Sequence, residues 1–277
     1  MTESGFTNLH RLFLQAAISR RLMTEATALD VYSQRFDAEN FSDFITQLNE
    51  GLNNVELEFR QAQDEMTGAT VMALTNTNGQ KIAQVATGYT PTELEYFKHL
   101  LDSIVMADDE MYCISSTAAL HEAGRLKNKE NKPLSLTKRE AETLLDRFVA
   151  DKWFVRSRAG AYSLSMRTLL ELQTYLKETY GDQIQECTLC MEIITKGQRC
   201  SVAACSSRMH HHCASKYFEN RNNPKCTTCH TAWSGKVLIG LSDGASAPSK
   251  VRKRRRRENG DAGDIEGNAG EEEENDE

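Results

Sequence analysis

Over the first 180 residues the spacing of apolar positions switches between a helical and a strand period, and it does so twice. Leu9, Leu12, Phe13, Ala16 and Ala17 lie at helical spacing, Thr24 to Tyr32 forms a shorter candidate helix, and Phe41, Phe44, Ile45, Leu48 and Leu52 give a clean apolar stripe. Gly51 stands near the end of that stripe, where a C-terminal cap is expected. The period then drops to two: Val55, Leu57 and Phe59 alternate, a turn falls at Thr67-Gly68, and Val71, Ala73 and Thr75 alternate in return.

The second pass opens at Thr90-Pro91-Thr92-Glu93, with a capping threonine, proline at the first helical position and a glutamate that can reach back. Leu94, Phe97, Leu101, Ile104 and Val105 continue that helix, and Ser116 to Ala123 gives a short second one. Thr137 and Glu140 form another candidate capping box ahead of Ala141, Leu144, Leu145, Phe148 and Val149. Trp153 to Val155 is expected to pair with Tyr162 to Leu164 across Ala159-Gly160, and one helix from about Met166 to Tyr180 follows. Three helices and a hairpin, repeated, is winged-helix order. The expected class is α+β, with winged-helix domains at 1–88 and 89–180.

Beyond residue 180 the periodicity fades and cysteine takes over, with seven of the eight cysteines in one window. The candidate ligands are Cys187, Cys190, Cys200, Cys205, His210, Cys213, Cys226 and Cys229. Three of the four pairs leave a two-residue gap, which lets both side chains of a pair reach one tetrahedral ion. The segment from Met1 to His10 lacks a signal-peptide pattern and no apolar run has transmembrane length, so zinc is favoured over disulfides and no membrane role is expected. Eight Cys and His ligands make two closed zinc sites for a domain at 181–240, with no position left for a reactive water. His211 and His212 read as exposed neighbours, and His230 as a weaker alternative ligand. Cys113 stands apart and reads as a buried structural thiol.

Charge adds a tail. The formal charge of −7 conceals a run from Lys250 to Arg257 with seven basic residues, followed by ten acidic residues from Glu258 to Glu277. Such a segment cannot build a core, and 241–277 is expected to be disordered. Arg252, Lys253, Arg254, Arg255, Arg256 and Arg257 form a candidate nuclear-import signal or nucleic-acid contact, which implies the nucleus, although a merely solvated tail gives the same pattern. Lys138, Arg139 and Arg156 are candidate DNA contacts on the second winged helix, diluted by Glu140, Glu142, Asp146 and Asp151. Weak backbone contact fits them better than specific reading, and protein docking fits these domains better than either.

The ligand order of four cysteines, one histidine and three cysteines resembles both variant RING domains and PHD fingers. Pro224 stands where a PHD finger carries an aromatic residue, and Leu189 stands where RINGs carry an apolar one. By that resemblance Cys187, Cys190, His210 and Cys213 share one zinc, and Cys200, Cys205, Cys226 and Cys229 share the other. The segments Cys187 to Cys190, Gly197 to Cys200, Arg208 to His210, Cys213 to Phe218 and Pro224 to Cys229 resemble the first non-SMC element subunit of the Smc five/six complex. So do Asp43 to Ile45, Leu144 to Trp153 and Tyr175 to Tyr180, in the same order, and the resemblance spans residues 1 to about 235. One departure is the Cys200-x4-Cys205 gap, wider than the two residues expected.

The resemblance implies two winged helices and a C-terminal variant RING. It implies docking on a MAGE-type subunit beside a kleisin-like subunit, and a role in DNA repair and chromosome maintenance. It also implies RING-type ubiquitin ligase activity stimulated by the MAGE partner. A RING supplies no nucleophile: it positions a ubiquitin-loaded conjugating enzyme so that a lysine can attack the thioester. By analogy Leu189, Phe218 and Thr227 would face that enzyme, with Phe218 equally suited to the module's core. Thr227 stands where RINGs often carry proline and His230 where they often carry a basic linchpin, so activity without a partner is expected to be low. The alternative is a structural zinc adaptor with little ligase activity and weak DNA contacts.

Overall fold

The computed structural model describes residues 7–33, 40–77, 88–127 and 133–240. The basic and acidic runs, and with them Arg252 to Arg257, lie outside the described residues. No helix among the described residues is long and apolar enough to cross a membrane.

The first half runs α1 (Asn8–Arg20), β1 (Met23–Thr24), α2 (Glu25–Ser33), α3 (Phe41–Asn53), β2 (Leu57–Gln63) and β3 (Thr70–Asn76). β3 is the centre of a three-stranded antiparallel sheet in the order β1-β3-β2. Phe13, Phe41, Phe44, Phe59 and Tyr32 pack edge-on or tilted in the core. The Asn49 side chain fixes the helix to the hairpin by accepting from the Phe59 amide at 2.8 Å and donating to its carbonyl at 3.2 Å. Three expectations shift here. Leu12 is 41% exposed, because the buried face of α1 runs Leu9, Phe13, Ala17 at four-residue steps. Gly51 does not end α3, which continues to Asn53 and is capped at Asn54. Val55 precedes β2 and lies exposed in the turn before it.

The second half repeats the order: α4 (Pro91–Val105), β4 (Cys113–Ser115), α5 (Ser116–Ala123), α6 (Lys138–Ala150), β5 (Phe154–Arg156) and β6 (Ala161–Leu164), with sheet order β4-β6-β5. Both capping boxes form. The Thr90 amide donates to Glu93 at 2.7 Å and the Thr137 amide to Glu140 at 2.8 Å, while each glutamate amide donates to the threonine hydroxyl at 3.3 Å. The hairpin pairs Phe154 with Leu164 and Arg156 with Tyr162, one residue later on its first strand than the periodicity suggests, because Trp153 turns into the core. The helix expected over Met166 to Tyr180 breaks at Leu172 into α7 (Met166–Glu171) and α8 (Gln173–Tyr180). Cys113 is buried against Ala161, and burial pushes its thiol up to about 11.

The break in α7–α8 lets α7 lie on β3 of the first half. Val71 and Ala73 bury against Leu170 there, while Met72 on the opposite face belongs to the first-half core. β3 is therefore covered on both sides, and the expected one-sided alternation gives way to three consecutive buried residues, Val71, Met72 and Ala73. Arg21 reinforces the same seam through an ion pair to Asp151 at 2.6 Å.

Candidate metal centre

The last described segment folds around two clusters, with only a small apolar core of its own formed by Met209, Ala214 and Trp233 among the cysteines. It supplies β7 (Gly197–Arg199), β8 (Arg208–Met209), α9 (His211–Phe218) and β9 (Leu238–Ile239), with β7 central in a small antiparallel sheet. Ile193, Ile194 and Ile239 insert into the hydrophobic core of the second half, so the metal module shares that core. A domain this small gains from borrowed apolar burial as well as from metal.

Cys187, Cys190, His210 and Cys213 come together with all ligand atoms within 4.8 Å of one another, and so do Cys200, Cys205, Cys226 and Cys229. The chain is cross-braced: the first and third pairs form one group, the second and fourth the other. Tetrahedral zinc with Zn–S of about 2.3 Å places sulfurs roughly 3.8 Å apart. Cys205 and Cys226 Sγ stand 3.7 Å apart, and Cys200 and Cys229 Sγ 3.5 Å. The four-residue gap before Cys205 is taken up by a turn in which the Cys205 amide donates to the Val202 carbonyl at 3.0 Å.

The histidine has a defined orientation. Its Nδ1 lies 3.3 Å from Cys190 Sγ and 3.9 Å from Cys213 Sγ, so Nδ1 is the metal-facing nitrogen. Its Nε2 lies 3.1 Å from the Ile193 carbonyl on the opposite side. His211 and His212 are half-buried, not exposed as the sequence suggests: His212 stacks on His210 at 5.1 Å, against the hairpin turn at Gly68. His230 is exposed and belongs to neither cluster.

The donor set fits zinc chemically. Burial alone would raise the Cys187 thiol, but the His210 ring and the amides of Cys190 and Leu189 outweigh it and bring it down to about 6. Cys226 likewise comes down to about 6, because the amides of Cys229 and Thr228 outweigh burial. Burial, aided by the neighbouring thiols of Cys229 and Cys226, pushes Cys200 up to about 12. Four thiols this close cannot all ionise on their own, and a dication resolves the conflict by binding them as thiolates. The two clusters can thus hold two zinc ions, each closed by four protein ligands.

Two acidic residues absent from the sequence-based candidates anchor the module. Glu110 pairs with Arg208 through Nη2 at 2.5 Å and Nε at 3.2 Å, and Arg208 also donates to the Cys205 carbonyl at 2.9 Å. Glu65, at the tip of the first-half hairpin, is 2% exposed and reaches the loop before β7. Both stand in short polar turns, which carry no pattern that marks them.

Leu189 and Phe218 are half-buried against the cysteine cluster, and Phe218 packs on Trp233 at 5.5 Å. The Thr227 and Ser207 hydroxyls lie 3.2 Å apart. Lys138 and Arg139 are exposed at the start of α6, whereas Arg156 sits 3.8 Å from Asp146 and 5.8 Å from the Tyr162 ring.

Comparison with known proteins agrees with this architecture. Residues 10–172 match the family model described as the Nse1 non-SMC component of the SMC5-6 complex. The chain belongs to the Nse1 family. Residues 187–229 separately match a RING-like domain. The Homo sapiens non-structural maintenance of chromosomes element 1 homolog is 30% identical over 83% of this chain and 86% of that protein. Its Schizosaccharomyces pombe counterpart is 26% identical over 86% of this chain and 97% of its own length. A chain of the solved Nse1-Nse3-Nse4 complex superposes with a TM-score of 0.73 at 29% identity, covering 84% of this chain and 99% of that one.

Proposed function

We propose that this chain is a RING-type ubiquitin ligase subunit of an Smc five/six complex. In this reading its helical halves dock on a MAGE-type subunit beside a kleisin-like subunit, and the complex serves DNA repair and chromosome maintenance in the nucleus. The observation that carries the ligase reading is the closed, cross-braced pair of clusters; Leu189, half-buried between the first two ligands, would contact the conjugating enzyme by analogy with RINGs. Neither centre keeps a position for water, so catalysis consists of holding the loaded enzyme and limiting the motion of its ubiquitin. Membership of the Nse1 family and similarity to a chain of an Nse1-Nse3-Nse4 complex support the partner assignment.

Ubiquitin discharge from a loaded conjugating enzyme onto free lysine, with and without the MAGE-type subunit, tests the proposal. Discharge is expected to rise when the partner is added. Leu189→Ala is expected to lower it roughly tenfold while zinc content is retained, since truncating an interface anchor commonly costs over 1 kcal/mol. No discharge with any conjugating enzyme, while zinc-ligand changes abolish assembly alone, would leave the structural adaptor reading. That second reading draws support from Thr227, which is turned toward Ser207 at 3.2 Å, and from the burial of the module's isoleucines in the second half.

A further inference from the structure

The contacts of Glu65 are unusual for a hairpin-turn residue. The carboxylate is buried, and its partners come from the metal module. It accepts from the Thr195 amide at 2.5 Å, the Thr195 hydroxyl at 2.7 Å and the Lys196 amide at 3.1 Å. Lys196 Nζ lies 3.8 Å away, and His210 Nε2 lies 3.6 Å from Oε1. Burying a carboxylate is costly unless such partners compensate, so the hairpin holds this geometry closely. Gly68 makes the approach possible: it adopts φ +69, and a Cβ there would meet His212 Cβ at 2.8 Å.

The arrangement acts on His210 from the side away from the metal. Binding through Nδ1 requires the proton on Nε2, and the acceptors facing Nε2 are the Ile193 carbonyl and Glu65. Glu65 also fixes Thr195 and Lys196, which follow directly on Ile193 and Ile194. One carboxylate therefore faces the imidazole and pins the loop that carries its hydrogen-bond acceptor. Glu65, Leu170, Ile193 and His210 line a single cavity of about 20 Å³ where both halves meet the module.

We propose that Glu65 is a positioning residue for the first zinc centre, whose own contacts to Thr195, Lys196 and His210, not the general packing of the two halves, set the metal affinity of the Cys187–Cys190–His210–Cys213 site. Outer partners of metal-bound histidines are commonly worth 10–100-fold in affinity. The coupling is reciprocal, so metal at that centre also tightens the hairpin onto the module. Neither effect depends on ubiquitin transfer.

The test uses the full chain with Glu65→Gln, which keeps the shape, and Glu65→Ala. Zinc affinity is measured by competition with a chromophoric chelator, and Co²⁺ substitution separates the two centres because three-thiolate-plus-imidazole and four-thiolate sites have distinct d–d bands. Val71→Ala, which loosens the seam between the halves without touching the module, is the control. Both Glu65 variants are expected to weaken the first centre by about 10-fold or more and shift its cobalt bands, with the second centre and Val71→Ala changed less than about threefold. The proposal fails if the first centre stays within threefold in both Glu65 variants, if both centres weaken together, or if Val71→Ala weakens the first centre as much as Glu65→Gln does.

Discussion

Replacing Glu110 by alanine would strand a guanidinium inside the protein. Arg208 is 9% exposed, and its guanidinium loses two of its three described hydrogen bonds, keeping the one to the Cys205 carbonyl. Breaking a fully buried pair from one side costs about 3–5 kcal/mol. Here the Glu110 side chain is 20% exposed and the Arg208 side chain 11%, so water can reach part of the pair. The retained carbonyl bond lowers the cost further, to an expected value of about 2 kcal/mol. Multi-part, metal-bearing chains do not unfold in one step, so native-state hydrogen exchange is the suitable readout. The amides of Arg199 and Cys200, bonded to the Val237 and Ser207 carbonyls, report on the sheet that carries Arg208. A loss of about 2 kcal/mol corresponds to roughly 30-fold faster exchange there. Glu110→Ala with Arg208→Met should be less destabilised than the sum of the single changes by more than about 1 kcal/mol, because the second change removes the stranded charge. Exchange within threefold of the unaltered chain, or strict additivity, would refute the claim that this pair anchors the module.

Leu170→Ala should cost about 2–3 kcal/mol in denaturant unfolding and raise amide exchange in Thr70–Asn76, because Leu170 covers the second face of β3; an effect below about 0.5 kcal/mol would mean that the halves are not packed there. The pair of His99 and Glu122, 3.8 Å apart, gives a pH signature. The facing Glu122 carboxylate raises the His99 pKa, and His99 in turn lowers that of Glu122. The histidine's contribution is full below its ordinary value of 6.5 and fades as pH rises through the raised folded value. The glutamate's contribution is present above its ordinary 4.5 and fades as pH falls through the lowered one. Stability relative to His99→Gln should therefore be greatest between those two ordinary values, by about 0.5 kcal/mol for a partly exposed pair, and a pH-independent difference would contradict the pairing.

Much of the helical scaffold was legible because local chemistry and tertiary packing agree. Thr90 with Glu93 and Thr137 with Glu140 satisfy orphan amides at helix starts, and those boxes form wherever the helix does. The cysteine spacings marked the eight ligands and their pairs directly, whereas the sharing of the first pair with the third and the second with the fourth was implied by the resemblance to cross-braced domains. Failures cluster where a distant part of the chain decides. The alternation of Val71, Ala73 and Thr75 implies one buried face, but α7 of the other half covers the second. Gly51 has the composition of a cap, yet α3 runs on to Asn53. Glu65 and Glu110 look like solvated turn residues, because nothing near them in sequence discloses that Thr195, His210 and Arg208 lie opposite. One signal was available: Ile193 and Ile194 are adjacent, so a segment burying both must be covered on two sides, and it is by their burial that the module joins the second half.

Eight residues from four pairs form two closed, cross-braced groups fit to hold zinc. Native mass spectrometry of the intact chain counts the ions they bind. Two zinc ions per chain are predicted, with Cys190→Ser weakening the ion held with His210 and Cys229→Ser the ion held by cysteines alone, as the cobalt bands resolve them. A saturated stoichiometry of one zinc per chain, or a Cys229→Ser protein that loses the histidine-containing centre and keeps the other, would contradict that arrangement.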